Sequence, residues 1–325
     1  MRPANKQGLN SAVLDRAAGT VIGGAVGDAL GAGYEFGSLV DPQDVEMLVG
    51  RLTKEPAGYW TDDTAMAIAI LETAASLRTL ITAEASASVG TRFLEWYRTG
   101  PRDVGNQIRA VLNRASSGSD VVMAAEVVQE IDPSRAGNGS LMRTGPVALA
   151  HLGDDDASVK AAKMMSALTH PNPYALDACV LWTIAIDRAI RTGELAGPRS
   201  GLHLIDAARR AEWGKWITDA ETRSPREFNP NGYVVHALQA AWSAIYATRF
   251  ASEHYVSAVR EAVAIGDDTD TVAAIAGSLV GATYGLRSIP LEWQNGLGGW
   301  PNGYHSIDLI RLAERTVAWE PERGK

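Results

Sequence analysis

The chain has a single cysteine, Cys179, among 325 residues. No disulfide can form within it, and a cysteine-based metal site is excluded. Basic residues are in deficit as well, with 30 Lys and Arg against 38 Asp and Glu and a net charge of −8. That balance lacks the basic footprint of a nucleic-acid binder or an anionic-membrane binder. Long apolar runs are missing: no stretch reaches the roughly 18 residues that suggest a membrane span. The opening MRPANKQGLNSAVLD carries basic residues without the apolar run of a secretory signal. The 14 prolines and 32 glycines are dispersed, so no disordered tract is expected. These absences lead to the expectation of a soluble, cytoplasmic protein.

What is present is helical periodicity. Apolar residues recur at three- and four-residue intervals over 11–32, 62–80, 83–98, 120–130, 157–168, 174–192, 202–213, 233–248, 254–264, 269–284 and 306–318. Short punctuators such as TGPRD, SSGSD, SPREFNPNG and NGLGGWPNG separate them. Period-two alternation is nearly absent, so the fold is expected to be all-α. The stretches 193–201 and 222–232 read as surface loops. The expected organisation is a flexible tail over 1–9 and one domain over 10–320.

Gly19, Gly23, Gly27 and Gly31 stand four residues apart and share one side of the first helix. Each costs about 1 kcal/mol in a helix relative to alanine, so close helix–helix packing is expected along that side. A phosphate-binding loop is excluded, because no strand precedes these glycines and no Gly-Lys-Ser/Thr follows. Asp28, within the row, is expected to be structural, bonding locally in its own helix.

Two acid clusters head two alanine-rich helices: WTDDTAMAIAI at 60–70 and AIGDDTDTVAAIAG at 264–277. Taken alone, the first reads as a capped helix start, with Thr61 at the N-cap and Asp62 and Asp63 at the positive end of the dipole. In the second, Asp268 and Asp270 are two apart, and a regular helix would not aim both at one point. They converge only if the helix has not begun at Asp268, and Gly266 suits such a junction. Three acids in four positions repel one another unless neutralised. Oxygen donors with no nearby His or Cys favour a hard cation, Mg²⁺ or Mn²⁺, over zinc. The two clusters are therefore expected to bind one or two such ions together.

GDALGAGYE at 27–35, WTDDTAM at 60–66, GNGSLMR at 137–143, TH at 169–170 and GDDTDTVAAIAG at 266–277 follow in this order. Together they resemble the ADP-ribosylglycohydrolase family, whose members are all-helical, binuclear-metal enzymes that remove ADP-ribose from proteins. The resemblance implies a multi-helix orthogonal bundle. It implies metal ligation by Thr61, Asp62, Asp63, Asp268, Asp270 and Thr271, with Mg²⁺ as the ion, two ions bound, and Mn²⁺ as a substitute. It brings Glu35 to the metals and the scissile ribose. Gly137, Asn138, Gly139 and Ser140 would line the ADP-ribose phosphates, with His170 nearby. GPRDVGNQIRAVL at 100–112 is similar to a segment of the dinitrogenase reductase-activating glycohydrolase branch. That likeness implies that Asp103 and Asn106 face the ribose and the released side chain, and that the linkage is to arginine rather than serine. Asp267 stands where the family usually has Gly or Asn.

The implied reaction cleaves a glycosidic bond through oxocarbenium-like charge on the ribose, with Asp62, Asp63, Glu35 and Asp103 as its catalytic carboxylates. Its substrate would be an ADP-ribosylated protein or small molecule, and its product ADP-ribose. GNGS, read as preceding a helix, would offer N–H groups to the diphosphate. The other five histidines are scattered without ligand spacing, and Ser140 lacks the strand–turn–helix setting of a serine nucleophile. Two further activities fit the same residues: a two-metal phosphoester or nucleotide hydrolase, and a non-catalytic ADP-ribose-binding family member.

Overall fold

The glycine row decides how the interior is built. In the computed structural model, which describes residues 11–318, the row lies on the first helix, α1 (Ser11–Gly31). After it come α2 (Asp62–Leu77), α3 (Ala83–Arg98), α4 (Asn106–Leu112), α5 (Val121–Ile131), α6 (Gly145–Ala150) and α7 (Asp155–Ala167). The second half holds α8 (Pro173–Thr192), α9 (Arg210–Thr222), α10 (Val234–Ala247), α11 (His254–Ala264), α12 (Thr269–Tyr284), α13 (Leu291–Asn295) and α14 (Ser306–Val317). Among the described residues the only strands are two antiparallel residue pairs, Gly298–Gly299 and Tyr304–His305. The architecture is an all-α multi-helix bundle. The expected tail at 1–9 lies outside the described residues.

Helices α1 and α12 meet backbone to backbone. A Cβ added at Gly19, Gly23 or Gly27 would lie 2.4, 2.3 and 2.1 Å from the carbonyl oxygens of Gly281, Gly277 and Ala273. From the other side, a Cβ at Gly277 or Gly281 would lie 2.1 and 2.0 Å from the carbonyls of Gly23 and Gly19. Backbone cannot yield as a side-chain tip can, so the seam admits no side chain on either helix. Gly23→Ala is expected to lower stability by about 1–3 kcal/mol through overpacking, measured as a fall in thermal midpoint. An unchanged midpoint would mean that the seam is not tight.

Both seam helices, and α8 with them, are buried on nearly every side. A helix without a polar face belongs at the centre of a bundle. The periphery is amphipathic instead: α14 buries Leu309, Leu312, Ala313 and Thr316 and shows its charges to solvent. No helix among the described residues is long and apolar enough to cross a membrane.

Two expectations need correction. The helix expected at 202–213 is replaced by 3₁₀ turns over Pro198–Leu204 and Ala207–Arg209, and α9 runs on to Thr222. Asp206 accepts from the Ala208 N–H and starts a new turn there. The helical stripe is Trp213, Ile217 and Ala220, hidden in sequence by the polar TDAETR around it. Helices α4, α6 and α13 were not anticipated. At 7, 6 and 5 residues they are too short to display a repeat.

Candidate metal and ligand site

The seam carries the chemistry. Because α1 and α12 touch along their backbones, the C-terminal half of α1 lies against the start of α12, and a Cβ at Gly31 would sit 2.4 Å from the Asp270 Cα. Asp28 on α1 is fully buried. It does not bond within its own helix; its carboxylate reaches the start of α2. It accepts from the Thr61 N–H at 2.9 Å, the Thr61 hydroxyl at 2.9 Å and the Thr64 N–H at 2.9 Å. The first acid cluster is thus capped by a carboxylate from another helix. Thr61 occupies the N-cap position, but its side chain makes no cap bond to α2.

Besides Asp28, the Thr61 hydroxyl has two further carboxylates near it, Asp63 Oδ2 at 3.2 Å and Asp270 Oδ2 at 3.5 Å. Ligand atoms of Asp28, Asp63 and Asp270 all fall within 4.8 Å of one another, and so do those of Glu35, Asp268 and Asp270. Asp270 is common to both groups. The two acid clusters therefore meet, as their sequences led us to expect, with Asp28 and Glu35 added from α1 and the turn after it.

The start of α12 is the loop-to-helix junction anticipated for it. Asp268 precedes the helix, while Gly266 and Asp267 have φ of 84° and 67°. Asn231, fully buried, ties this turn together. It accepts from the Asp268 N–H at 3.0 Å, donates to the Gly266 carbonyl at 3.0 Å, and its own N–H bonds Asp267 Oδ2 at 2.9 Å. Asp267 is accordingly a turn brace, and its carbonyl also receives the Phe36 N–H. Asn138 donates its amide to Asp268 Oδ2 at 2.7 Å. Losing such an orienting contact typically costs 10–100-fold in metal affinity. Asn231→Ala is expected to weaken any divalent-cation binding at the cluster by about that factor, read by calorimetry; unchanged affinity would show that Asp268 is not positioned as a ligand by Asn231.

Electrostatically the cluster is incomplete. Burial raises the carboxyls of Asp28, Glu35, Asp62, Asp63, Asp103, Asp268 and Asp270 above the ordinary range, and neighbouring acids push most of them higher. Asp28 is moved to about 6 and Glu35 to about 10. Glu35 and Asp103 are neighbours, and Asp103 helps to raise the Glu35 carboxyl. No ion pair among the described residues involves any of the seven. Asp63 Oδ1 and Asp103 Oδ2 are buried without a hydrogen-bond partner. An all-oxygen donor set with unpartnered buried oxygens, and no protein cation at ion-pair distance among the described residues, fits a hard divalent ion.

Above the acids opens a cavity of about 480 Å³. Of the residues singled out from sequence, Glu35, Asp62, Asp103, Asn106, Gly137, Asn138, Gly139, His170, Asp268, Asp270 and Thr271 line it. Thr61, Asp63 and Ser140 do not. Thr61 and Asp63 lie among the carboxylates described above, and Asp62 turns aside to accept from the Gly105 N–H at 3.3 Å. Ser140 faces the interior, where its hydroxyl receives hydrogen bonds from Ser166 at 2.9 Å and Cys179 at 3.5 Å.

GNGS does not lead into a helix. It continues through turns closed by Leu141 N–H to Asn138 and Thr144 N–H to Leu141, and α6 starts at Gly145 with Pro146 in its first turn. The Asn138 N–H is taken by the Gly232 carbonyl, whereas the Gly139 N–H has no partner among the described residues. His170 is buried beneath this turn. Burial and the charge of Arg143 lower its pKa well below the ordinary value, so the ring is neutral.

Four residues of the site escaped the sequence reading: Asp28, Gln107, Arg143 and Asn231. Asp28 left one clue, a carboxylate in the glycine-rich, largely apolar stretch 17–31 with no base one turn away. The others left none, since their roles depend on partners distant in the chain.

A family model described as ADP-ribosylglycohydrolase matches residues 9–323. The chain is 31% identical over 289 residues to ADP-ribosylarginine hydrolase Tri1 of Pseudomonas putida (strain GB-1), covering 86% of this chain and 73% of that protein. It is 31% identical over 287 residues to ADP-ribosyl-[dinitrogen reductase] glycohydrolase of Rhodospirillum rubrum, covering 86% and 90%. A solved structure from an ADP-ribosylglycohydrolase-related protein complex superposes with a TM-score of 0.74 at 30% identity, covering 95% of this chain and 99% of that one.

Proposed function

Because the chain belongs to the ADP-ribosylglycohydrolase family, we propose that it hydrolyses the glycosidic bond between ADP-ribose and an arginine side chain, with two Mg²⁺ ions in the carboxylate cluster. One observation carries the reading: Asp270 is shared by two groups of converging carboxylates that have no cation of their own, beside a cavity of about 480 Å³. Thr61, Asp62, Asp63, Asp268, Asp270 and Thr271 would hold the ions, with Asp28 behind them orienting Thr61, and Mn²⁺ would serve as a substitute. When bound, the ions supply positive charge and Lewis acidity next to the ribose.

The protein's own groups supply the rest. The carboxylates lining the cavity favour the positive charge that develops on the ribose as the bond breaks. Glu35 and Asp103, neighbours lining the cavity, form a proton reservoir: one carboxyl gives a proton to the leaving side chain while the other takes one from the attacking water. The free Gly139 N–H would be available to the diphosphate, and Asn106 and His170 line the same cavity. The unpartnered Asp103 Oδ2 suits a guanidinium, which has only donors, better than a serine hydroxyl. The likeness of 100–112 to the arginine-specific branch points the same way, and so do the names of the two bacterial relatives.

One continuous core cluster from Ala17 to Ala313 supports reading 10–320 as one domain. A lone, buried cysteine suits the reducing cytoplasm.

The test incubates the protein with arginine- and serine-ADP-ribosylated peptides, in Mg²⁺ and in EDTA. Mg²⁺-dependent release of ADP-ribose from the arginine peptide is expected. Release of AMP or inorganic phosphate would point to a phosphoester hydrolase. Tight ADP-ribose binding without turnover of either peptide would mean a binding protein.

A further inference from the structure

Arg143 is buried, yet no carboxylate pairs with it. Its guanidinium lies over the Phe93 ring at 4.7 Å, with one arm 3.5 Å from Met66 Sδ. The other arm donates to the Met165 carbonyl at 3.2 Å and to the Thr169 hydroxyl at 2.7 Å. A buried cation without a direct ion pair is costly, and Asp62 offsets this one only at longer range. What this one provides is a donor that can never act as an acceptor.

From these contacts we infer that Arg143, acting through Thr169, fixes His170 as the tautomer protonated on Nε2, so that the ring presents a hydrogen-bond donor to the ligand cavity. The Thr169 hydroxyl lies 2.7 Å from His170 Nδ1, and Arg143 and His170 are its only hydrogen-bond partners among the described residues. It accepts from Arg143 and has one proton left to give. If Nδ1 also carried a proton, the hydroxyl would face two donors, and its own proton would have no acceptor at a fully buried position. The arrangement closes only with Nδ1 accepting. The ring is neutral, so its single proton is on Nε2.

Nε2 is the atom turned to the ligand side. It makes no hydrogen bond among the described residues, and it lies 3.4 and 3.3 Å from where a Cβ would stand on Gly137 and Gly139. Gln107 braces the same pair by donating to the Thr169 carbonyl at 2.9 Å. Arg143 and Thr169 are thus positioning residues for His170. The partner of that donor, an oxygen of ADP-ribose, rests on the function proposed above; the tautomer does not.

The experiment is imidazole ¹⁵N–¹H NMR of the full chain labelled at histidine, with His170 assigned by its loss in His170→Gln. Nδ1 is expected as an unprotonated, accepting nitrogen and Nε2 with an attached proton. Thr169→Val should abolish that single tautomer and Thr169→Ser restore it, with ADP-ribose affinity falling about tenfold in the first and returning in the second. A wild-type His170 protonated on Nδ1, or a Thr169→Val spectrum identical to wild type, would overturn the inference. Should Thr169→Val fail to fold, the wild-type spectrum alone decides. A wild type showing the expected tautomer but no affinity for ADP-ribose would sink the functional reading and leave the tautomer standing.

Discussion

Asp270→Asn should remove metal binding and turnover together. Asp270 is the carboxylate common to both groups of converging carboxylates, so neutralising it degrades both groups as cation ligands. Bound ions are worth several kcal/mol of transition-state stabilisation, and each 1.36 kcal/mol is a factor of ten. A loss of roughly 10³-fold in kcat/KM is the expected result. The fold should survive, because a buried amide in place of a crowded carboxylate relieves repulsion from Glu35, Asp63, Asp268 and Asp103. The metal-free variant is therefore expected to melt at or above the metal-free wild type. Calorimetry with Mg²⁺, steady-state kinetics and a melting curve check all three parts. Retained metal affinity would show that Asp270 is not the shared ligand, and a lower metal-free melting point would show that the carboxylate supports the fold.

The second large effect is a coupling between pH and metal. In the metal-free protein the site carboxyls are raised by burial and mutual repulsion, Asp28 to about 6 and Glu35 to about 10. A carboxyl whose folded pKa is raised adds stability below its unfolded value, and that stability is lost as pH climbs through the folded value. Metal-free protein should accordingly melt lower at about pH 8 than at about pH 5. A cation needs the same groups deprotonated, so binding expels protons and its affinity climbs with pH. Release of one or two protons gives about 10–100-fold in affinity per pH unit. Mg²⁺ should therefore raise the melting point far more at the higher pH, and calorimetry in buffers of different ionisation heat should detect the released protons. An equal Mg²⁺ shift at both pH values would mean that these carboxyls are already ionised without metal.

Much of the site was legible in the chain, and the reasons are local. Asp268 and Asp270 had to leave regular helix to converge, and Gly266 before them marked where the helix could not yet have begun. Four glycines at four-residue spacing announced a close helix contact, because a helix does not otherwise tolerate them on one face. The acids' oxygen chemistry, with no His or Cys beside them, pointed to a hard cation. Short helices were not legible, because five to seven residues hold less than two turns of any repeat. The placing of GNGS at a helix start failed for a similar reason: a turn and a short helix begin with the same small residues, and Pro146, eight residues after Asn138, marks the true start at Gly145.

The sequence by itself determined the fold class, the glycine seam, the meeting of two acid clusters and the family resemblance. Each of these is written in residue type and spacing along one stretch of chain. Only the tertiary structure decided that the seam's partner is α12, that Asp28 caps α2 instead of its own helix, that Ser140 turns inward, and that Arg143 reaches His170 through Thr169. Those facts join residues tens to hundreds of positions apart. A side chain's role there is set by which donor or acceptor packing brings within about 3 Å of it, and no periodicity records that.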